Sequence, residues 1–333
     1  MRIGLIGTGR IGAVHAATLA ALPAVDHIVV HDAEERSARA VADRVGGEVA
    51  GDLDALFGAG LDGVVIAAPT FAHAELIVAA QRAGLPTFCE KPVAGTLRET
   101  DAVLAALAGS GAPLHIGFQR RFDAGYRELR EAVASGRLGW THTLRACTAD
   151  PTPPPAGYLP GSGGIFRDCS VHDYDSARWV TGREIVSVYA TGANRGEEFF
   201  GAAGDVDTAV SVLTLDDGTL ATCTATRYNG AGYDVRLEVC GSKGSLVAGL
   251  TDQTPLASAD GAKWPAGTPH PGFMERFRDA YRAELTAFTE VVAGLRPSPC
   301  TGEDARAALA IAEAATVSRR EGRPVPVPGP RAT

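Results

Sequence analysis

The sequence predicts an α/β first half built on a doubly wound parallel sheet. It predicts an α+β second half with a large mixed, mostly antiparallel sheet. Two observations carry this. Over the first ~120 residues, short apolar runs alternate with helix-forming segments, as a parallel sheet with crossover helices demands. Beyond them come longer runs alternating between apolar and polar residues, separated by turn sequences such as Asp216-Asp217-Gly218 and Gly241-Ser242-Lys243-Gly244, the pattern of antiparallel strands.

The elements follow in order. Arg2 to Ile6 reads as a buried strand, and helical composition runs from His15 to Leu22. His27 to His31 is the second strand, followed by a helix from near Ala33 to Val45. Asp52 and Asp54 can cap a short helix ending at Phe57. Gly63 to Ala68 is an apolar strand stopped by Pro69, and the helix from Ala72 to Ala83 is ended by Gly84. Pro86 to Cys89 is a strand, Thr96 and Glu99 form a capping box, and Leu114 to Phe118 closes the sheet. The second half carries strand signals at 140–148, 185–191, 208–215, 219–226 and 233–240, with helices at 124–135 and around 168–180. Helical spacing returns at 273–292 and 303–319, and the Pro-rich tail after Gly322 is expected to fray. The expected domains are 1–118 and 119–333.

The first strand runs directly into Gly7-Thr8-Gly9-Arg10-Ile11-Gly12. This is G-x-G-x-x-G between a strand and a helix, the context that marks a dinucleotide-binding Rossmann domain. Gly7 permits the tight turn, Gly9 lets backbone approach a pyrophosphate, and Gly12 lets helix and strand pack closely. The N–H groups at the helix start then face an anion. Asp32 ends the second strand about 20 residues on, where a carboxylate accepts hydrogen bonds from ribose hydroxyls and repels a 2′-phosphate. NAD is therefore expected over NADP, with Arg36 as the one nearby cation that favours a phosphate. Ala68-Pro69-Thr70 and His73 fall near the expected nicotinamide ribose.

Composition bounds the rest. The chain has 333 residues, a formal charge of −8 and 21% charged residues. That balance argues against nucleic acid or an anionic membrane surface as partner. No apolar run reaches the ~20 residues of a membrane span. The strand at the N-terminus leaves no room for a signal peptide, so a cytoplasmic setting is expected. The six cysteines lack C-x-x-C spacing, which argues against structural zinc, and no metal is expected.

Several polar residues can do chemistry. Glu90-Lys91-Pro92 lies at the end of a strand, where the cofactor crevice of such a sheet is found. A lysine there can stabilise negative charge on a substrate oxygen, or can simply pair with Glu90. Asp168 and His172 lie four apart in a helical segment and share a face. His172 has the intrinsic basicity to take a proton near neutrality. Asp168 can orient it or hold the lysine, and Asp173 and Asp175 are nearby carboxylates. The alternative is a helix start decorated with acids that the helix dipole favours. The Pro- and Gly-rich stretch 150–164 reads as a substrate loop carrying Tyr158, and Tyr233 follows a second Gly-rich turn.

The glycine turn, the Glu90-Lys91-Pro92 triplet and the Asp168-Cys169-Ser170-Val171-His172 run together resemble the Gfo/Idh/MocA oxidoreductases, over nearly the whole chain. The resemblance implies that Lys91, Asp168 and His172 form the catalytic set. Within the family, the segments 117–123, 172–175 and 232–234 are similar to those of inositol dehydrogenases. That similarity maps Arg120, Asp175 and Tyr233 to polyol binding. Ser170 stands where many relatives carry glycine. The implied function is NAD-dependent oxidation of a secondary hydroxyl of a cyclitol, myo-inositol first. Scyllo-inositol, an aminocyclitol or an aldose are the alternative substrates, and a non-catalytic NAD-binding sensor is the alternative of another class. The resemblance also implies a homotetramer assembled through the second sheet.

Overall fold

In a computed structural model of the chain, residues 1–261 and 267–329 are described. They fall into two compact units, Met1–Gln119 with Asp279–Arg306, and Arg120–Arg278 with the chain from Ala307 onward.

The first unit carries a parallel six-stranded sheet. Its strands are β1 (Arg2–Ile6), β2 (His27–His31), β3 (Glu48–Val49), β4 (Gly63–Ile66), β5 (Thr87–Glu90) and β6 (Leu114–Gly117), in the order β3-β2-β1-β4-β5-β6. Helices α1 (Arg10–Ala20), α2 (Glu35–Val45), α3 (Leu53–Phe57), α4 (Thr70–Arg82) and α5 (Leu97–Ala106) make the crossovers. The strand order reverses between β1 and β4, the switch point at which such sheets bind ligands. The expected caps form: Asp52 accepts from Ala55 N, and Thr96 with Glu99 makes the reciprocal capping box.

The expected uninterrupted second domain is corrected in one respect. Helix α11 (Arg278–Val292) packs into the core of the first unit, where Leu285 and Phe288 join Leu5, Val30, Val65 and Phe88. The Phe88 and Phe288 rings meet edge to face at 5.7 Å. Ile116 N donates to Cys300 O, fastening the same returning segment to β6. Large apolar side chains on a late helix find their burial wherever a matching face is open, and linear order does not reveal which face that is.

The second unit holds a seven-stranded mixed sheet. Its strands are β7 (Thr141–Ala149), β8 (Ile185–Ala193), β9 (Thr208–Leu215), β10 (Leu220–Thr226), β11 (Asp234–Gly241), β12 (Gly244–Ala248) and β13 (Val325–Pro326). They run in the order β12-β11-β7-β10-β9-β8-β13, antiparallel except that β10 lies parallel to β7. Helices α6 (Ala124–Ala134), α7 (Leu159–Ser162), α8 (Val171–Thr181), α9 (Phe199–Ala202), α10 (Phe273–Arg276) and α12 (Gly302–Glu321) complete the chain. The described part of the expected frayed tail is paired: Val325 and Pro326 pair with Val188 and Ser187 of β8, and Val327 N donates to Val186 O, while 330–333 lie outside the described residues. Among the described residues no helix is long and apolar enough to cross a membrane.

Candidate functional site

In the first unit the register of the parallel strands builds a row of functional candidates. Ile6 is level with His31 of β2 and with Ile66 of β4, and Ile66 is level with Cys89 of β5. The next residues, Asp32, Gly7, Ala67 and Glu90, therefore end neighbouring strands along one sheet edge. Gly7 has φ +93°, and a side chain there would lie 2.6 Å from the Ala67–Ala68 backbone. A Cβ on Gly12 would overlap the Gly7 carbonyl oxygen. Gly9 faces open space and is the N-cap of α1, with no side-chain cap and no acidic residue in the first turn. Thr8, Arg10 and Ile11 complete this turn. The bare helix start, the open approach at Gly9 and the missing side chains at Gly7 and Gly12 suit a pyrophosphate.

Asp32 is held for its task. Its Oδ2 accepts from Thr8 N and Oγ1 at 2.7 and 2.8 Å, and its Oδ1 from Glu34 N at 2.9 Å. Burial pushes its pKa up, but the hydrogen bonds from Glu34 and Thr8 outweigh burial and hold it below the ordinary carboxylate range. An ionised carboxylate has about four acceptor positions, so one remains for a ribose hydroxyl.

Ala68 and Pro69 lead into α4, whose first residue is Thr70. His73 is buried, with Nδ1 2.6 Å from Pro92 O and Nε2 2.8 Å from Ala68 O. Its ring thus ties the end of β4 to the residue after Lys91, and neither ring nitrogen faces outward toward a ribose. His15 is fully buried, with Nε2 2.7 Å from Glu90 Oε1 and its ring edge-on to Phe88 and Tyr281. It steadies Glu90, the residue before Lys91, instead of lining the pyrophosphate turn. Lys91 follows the last residue of β5 and is half-buried, and its bond to Pro92 is cis.

In the second unit a π-helical turn, Phe166–Ser170, leads straight into α8. Asp168 lies in that turn and His172 is the second residue of α8, half-buried. Asp168 Oδ2 accepts from Arg227 Nη2 at 2.7 Å, and its Oδ1 accepts from the Tyr158 hydroxyl at 3.0 Å. Arg227 also donates through Nη1 to Asp150 Oδ2 at 3.0 Å. The guanidinium is buried between two carboxylates, and their negative charge together with Cys169 holds its proton despite burial. Burial pushes the Asp150 carboxyl up, with Arg227 pulling it back.

Two expected substrate contacts are engaged in ion pairs in the structure. Arg120 is 2% exposed and is spent on Asp173, at 2.5 Å, and on Thr148. Asp175 is fully buried, both oxygens taken by Arg121 Nε and Nη2 at 2.9 and 2.5 Å. Both belong to buried ion pairs. Tyr233 is also largely buried, its phenol pushed to higher pKa by burial, with the Arg120 charge opposing. The sequence reading missed Asp150, Arg121 and Arg227. An acid right after β7 and an arginine right after β10 were the available signals.

Comparison with known proteins places the chain. The family model "Oxidoreductase family, NAD-binding Rossmann fold" matches residues 1–118, and "GFO/IDH/MocA C-terminal domain" matches residues 126–247. The chain is 41% identical over 330 residues to a myo-inositol dehydrogenase of Streptomyces leeuwenhoekii, covering 98% of this chain and 99% of that protein. The chain belongs to the Gfo/Idh/MocA oxidoreductase family. Among solved structures, a myo-inositol dehydrogenase from Corynebacterium glutamicum superposes with TM-score 0.91 at 35% identity, covering 99% of each chain. A scyllo-inositol dehydrogenase from Lactobacillus casei with bound NAD(H) and scyllo-inositol superposes with TM-score 0.89 at 29% identity, covering 98% of each. As a member of this family the chain is an NAD-dependent oxidoreductase, and the glycine turn with Asp32 is the part of it that fits NAD.

Proposed function

We propose that this enzyme oxidises a secondary ring hydroxyl of a cyclitol to the ketone, with myo-inositol as first substrate and scyllo-inositol as second. Full-length similarity to a protein named for myo-inositol oxidation carries the reading. Bound NAD would supply the acceptor for the hydride that leaves the carbinol carbon. His172 takes the hydroxyl proton as general base, since a neutral imidazole suits proton transfer near neutral pH. Lys91 hydrogen-bonds the same oxygen and stabilises the negative charge that grows as the O–H bond breaks. Asp168, fixed by Arg227 and Tyr158, orients the reacting groups. The cofactor is held by Gly7, Thr8, Gly9, Arg10, Ile11, Gly12 and Asp32, with Ala68, Pro69, Thr70 and Glu90 toward its nicotinamide end.

The same proposal includes a homotetramer in the cytoplasm. One face of the second sheet exposes Tyr189, Val210, Val212 and Leu220; Tyr189 of β8 is level with Val212 of β9, and Val210 of β9 and Leu220 of β10 lie on other rungs of the same face. An apolar sheet face of this kind favours self-association.

A panel of cyclitols and aldoses, followed by NADH absorbance, tests the substrate. Myo-inositol should give the highest kcat/KM, and His172→Ala should lower kcat by roughly 10²–10⁴ while NADH binding survives. Turnover confined to aldoses would reject the cyclitol reading. An unchanged kcat in His172→Ala would reject the general base.

A further inference from the structure

We infer that Arg227 is the positioning residue for Asp168, locking the Pro-rich loop 150–164 and the catalytic carboxylate into one rigid unit. The inference rests on the proposed role of Asp168 and adds to it how that carboxylate is held.

The guanidinium is 4% exposed and forks between two acids. One arm reaches Asp168 at 2.7 Å, and the other reaches Asp150 at 3.0 Å. Asp150 is the first residue after β7 and opens the loop, and its backbone N–H donates to Thr226 O at the end of β10. Tyr158, in the middle of the same loop, donates its hydroxyl to Asp168 Oδ1 at 3.0 Å. The loop thus grips Asp168 twice, once through Tyr158 directly and once through Arg227 from Asp150. Cys169 Sγ adds a weak contact to Asp150 Oδ2 at 3.8 Å. Both Asp168 oxygens accept bonds from donors in fixed directions, so the carboxylate plane is set before substrate arrives. A planar, five-donor guanidinium can bridge two carboxylates at once, whereas an ammonium on a flexible stem serves as a point charge. Arginine at this position therefore has a specific geometric use.

The experiment compares Arg227→Met, Arg227→Lys, Tyr158→Phe, Asp168→Asn and the double variant Asp168→Asn/Arg227→Met on the best polyol. Arg227→Met should lower kcat on the order of 10- to 100-fold, the worth of a charge-assisted hydrogen bond at a working carboxylate. The KM for NAD should stay within about twofold, because the cofactor anchors lie in the glycine turn. Arg227→Lys should recover part of kcat by restoring the charge without the fork. Tyr158→Phe removes only a hydroxyl from a half-exposed side chain and should lower kcat about three- to tenfold with the fold intact. In the Asp168→Asn background, Arg227→Met should add little further loss, since both act through the same carboxylate.

If Asp168→Asn is impaired while Arg227→Lys and Tyr158→Phe both keep wild-type kcat, the positioning role is overturned and the role of Asp168 stands. The positioning role is likewise overturned if the losses in the double variant multiply in full. If Asp168→Asn itself keeps wild-type kcat, the underlying reading of Asp168 has failed. Should Arg227→Met not fold, Arg227→Lys and Tyr158→Phe decide the question by the same criteria.

Discussion

Replacing Asp175 with alanine decides between two employments of one carboxylate: a polyol contact, as the sequence motif implies, or one half of a core ion pair. In the structure Asp175 is 0% exposed and Arg121 5% exposed, joined by two parallel hydrogen bonds of 2.9 and 2.5 Å. Removing the acid leaves a buried guanidinium without its carboxylate, an arrangement that costs about 3–5 kcal/mol. At roughly 2 °C per kcal/mol for a chain of this size, Tm should fall by about 6–10 °C. Differential scanning fluorimetry with NADH absent reads this directly. The variant Arg121→Met/Asp175→Leu should recover most of the loss, because a packed apolar pair is often no worse than the buried ions it replaces. Steady-state KM for the polyol, measured well below the lowered Tm, should be little changed. A Tm within about 1 °C of wild type combined with a sharply raised polyol KM would refute the core-pair assignment and return Asp175 to the substrate.

The remaining predictions concern the cofactor cradle and the second sheet. Asp32→Ala should narrow the kcat/KM preference for NAD over NADP, since repulsion of the 2′-phosphate is lost; a preference that stays the same would move discrimination to another residue. Gly12→Ala should weaken NADH binding about tenfold or more in calorimetry, because ~1–3 kcal/mol of overpacking against the Gly7 carbonyl displaces the turn. His73→Phe should lower Tm, as the ring N–H that serves one of the two part-buried carbonyl oxygens is lost, at about 1–3 kcal/mol for a group left unsatisfied; an unshifted Tm would show that the tie between Ala68 and Pro92 carries no stability. Sedimentation at micromolar concentration should give a tetramer, and Val212→Lys on the exposed sheet face should shift it toward smaller species.

Much of the first unit was legible because its signals are local. A glycine turn, an acid at a strand end and a reciprocal cap each need only a handful of neighbouring residues, and Gly7, Asp32 and Thr96 stand where the sequence puts them. The two-residue β3 was missed because Glu48–Val49 carries no period of its own and pairs only through backbone with β2. The second unit was legible as strands but not as partners. Arg120 meets Asp173 and Arg121 meets Asp175 across separations of 53 and 54 residues, and Arg227 meets Asp150 across 77. Nothing in a motif distinguishes an arginine bound for the core from one bound for substrate. That choice is made by which side of an element the residue occupies once the sheet has assembled.

The single parallel pairing in the second sheet has a consequence for how this protein can diverge. With β7 and β10 side by side and pointing the same way, Ala149 is level with Thr226, and the chain delivers Asp150 and Arg227 to the same end of the sheet. The long stretch between those strands is anchored at both ends by this register. Insertions and deletions in its surface turns leave the pairing untouched. A gain or loss of one residue inside β10 is different in kind. Strand side chains alternate, so every residue after the change is turned to the opposite face. Arg227 would then point away from both acids while the backbone ladder closed as before. Length variation among relatives should therefore gather in the turns between Ala149 and Leu220 and avoid the strand leading into Arg227.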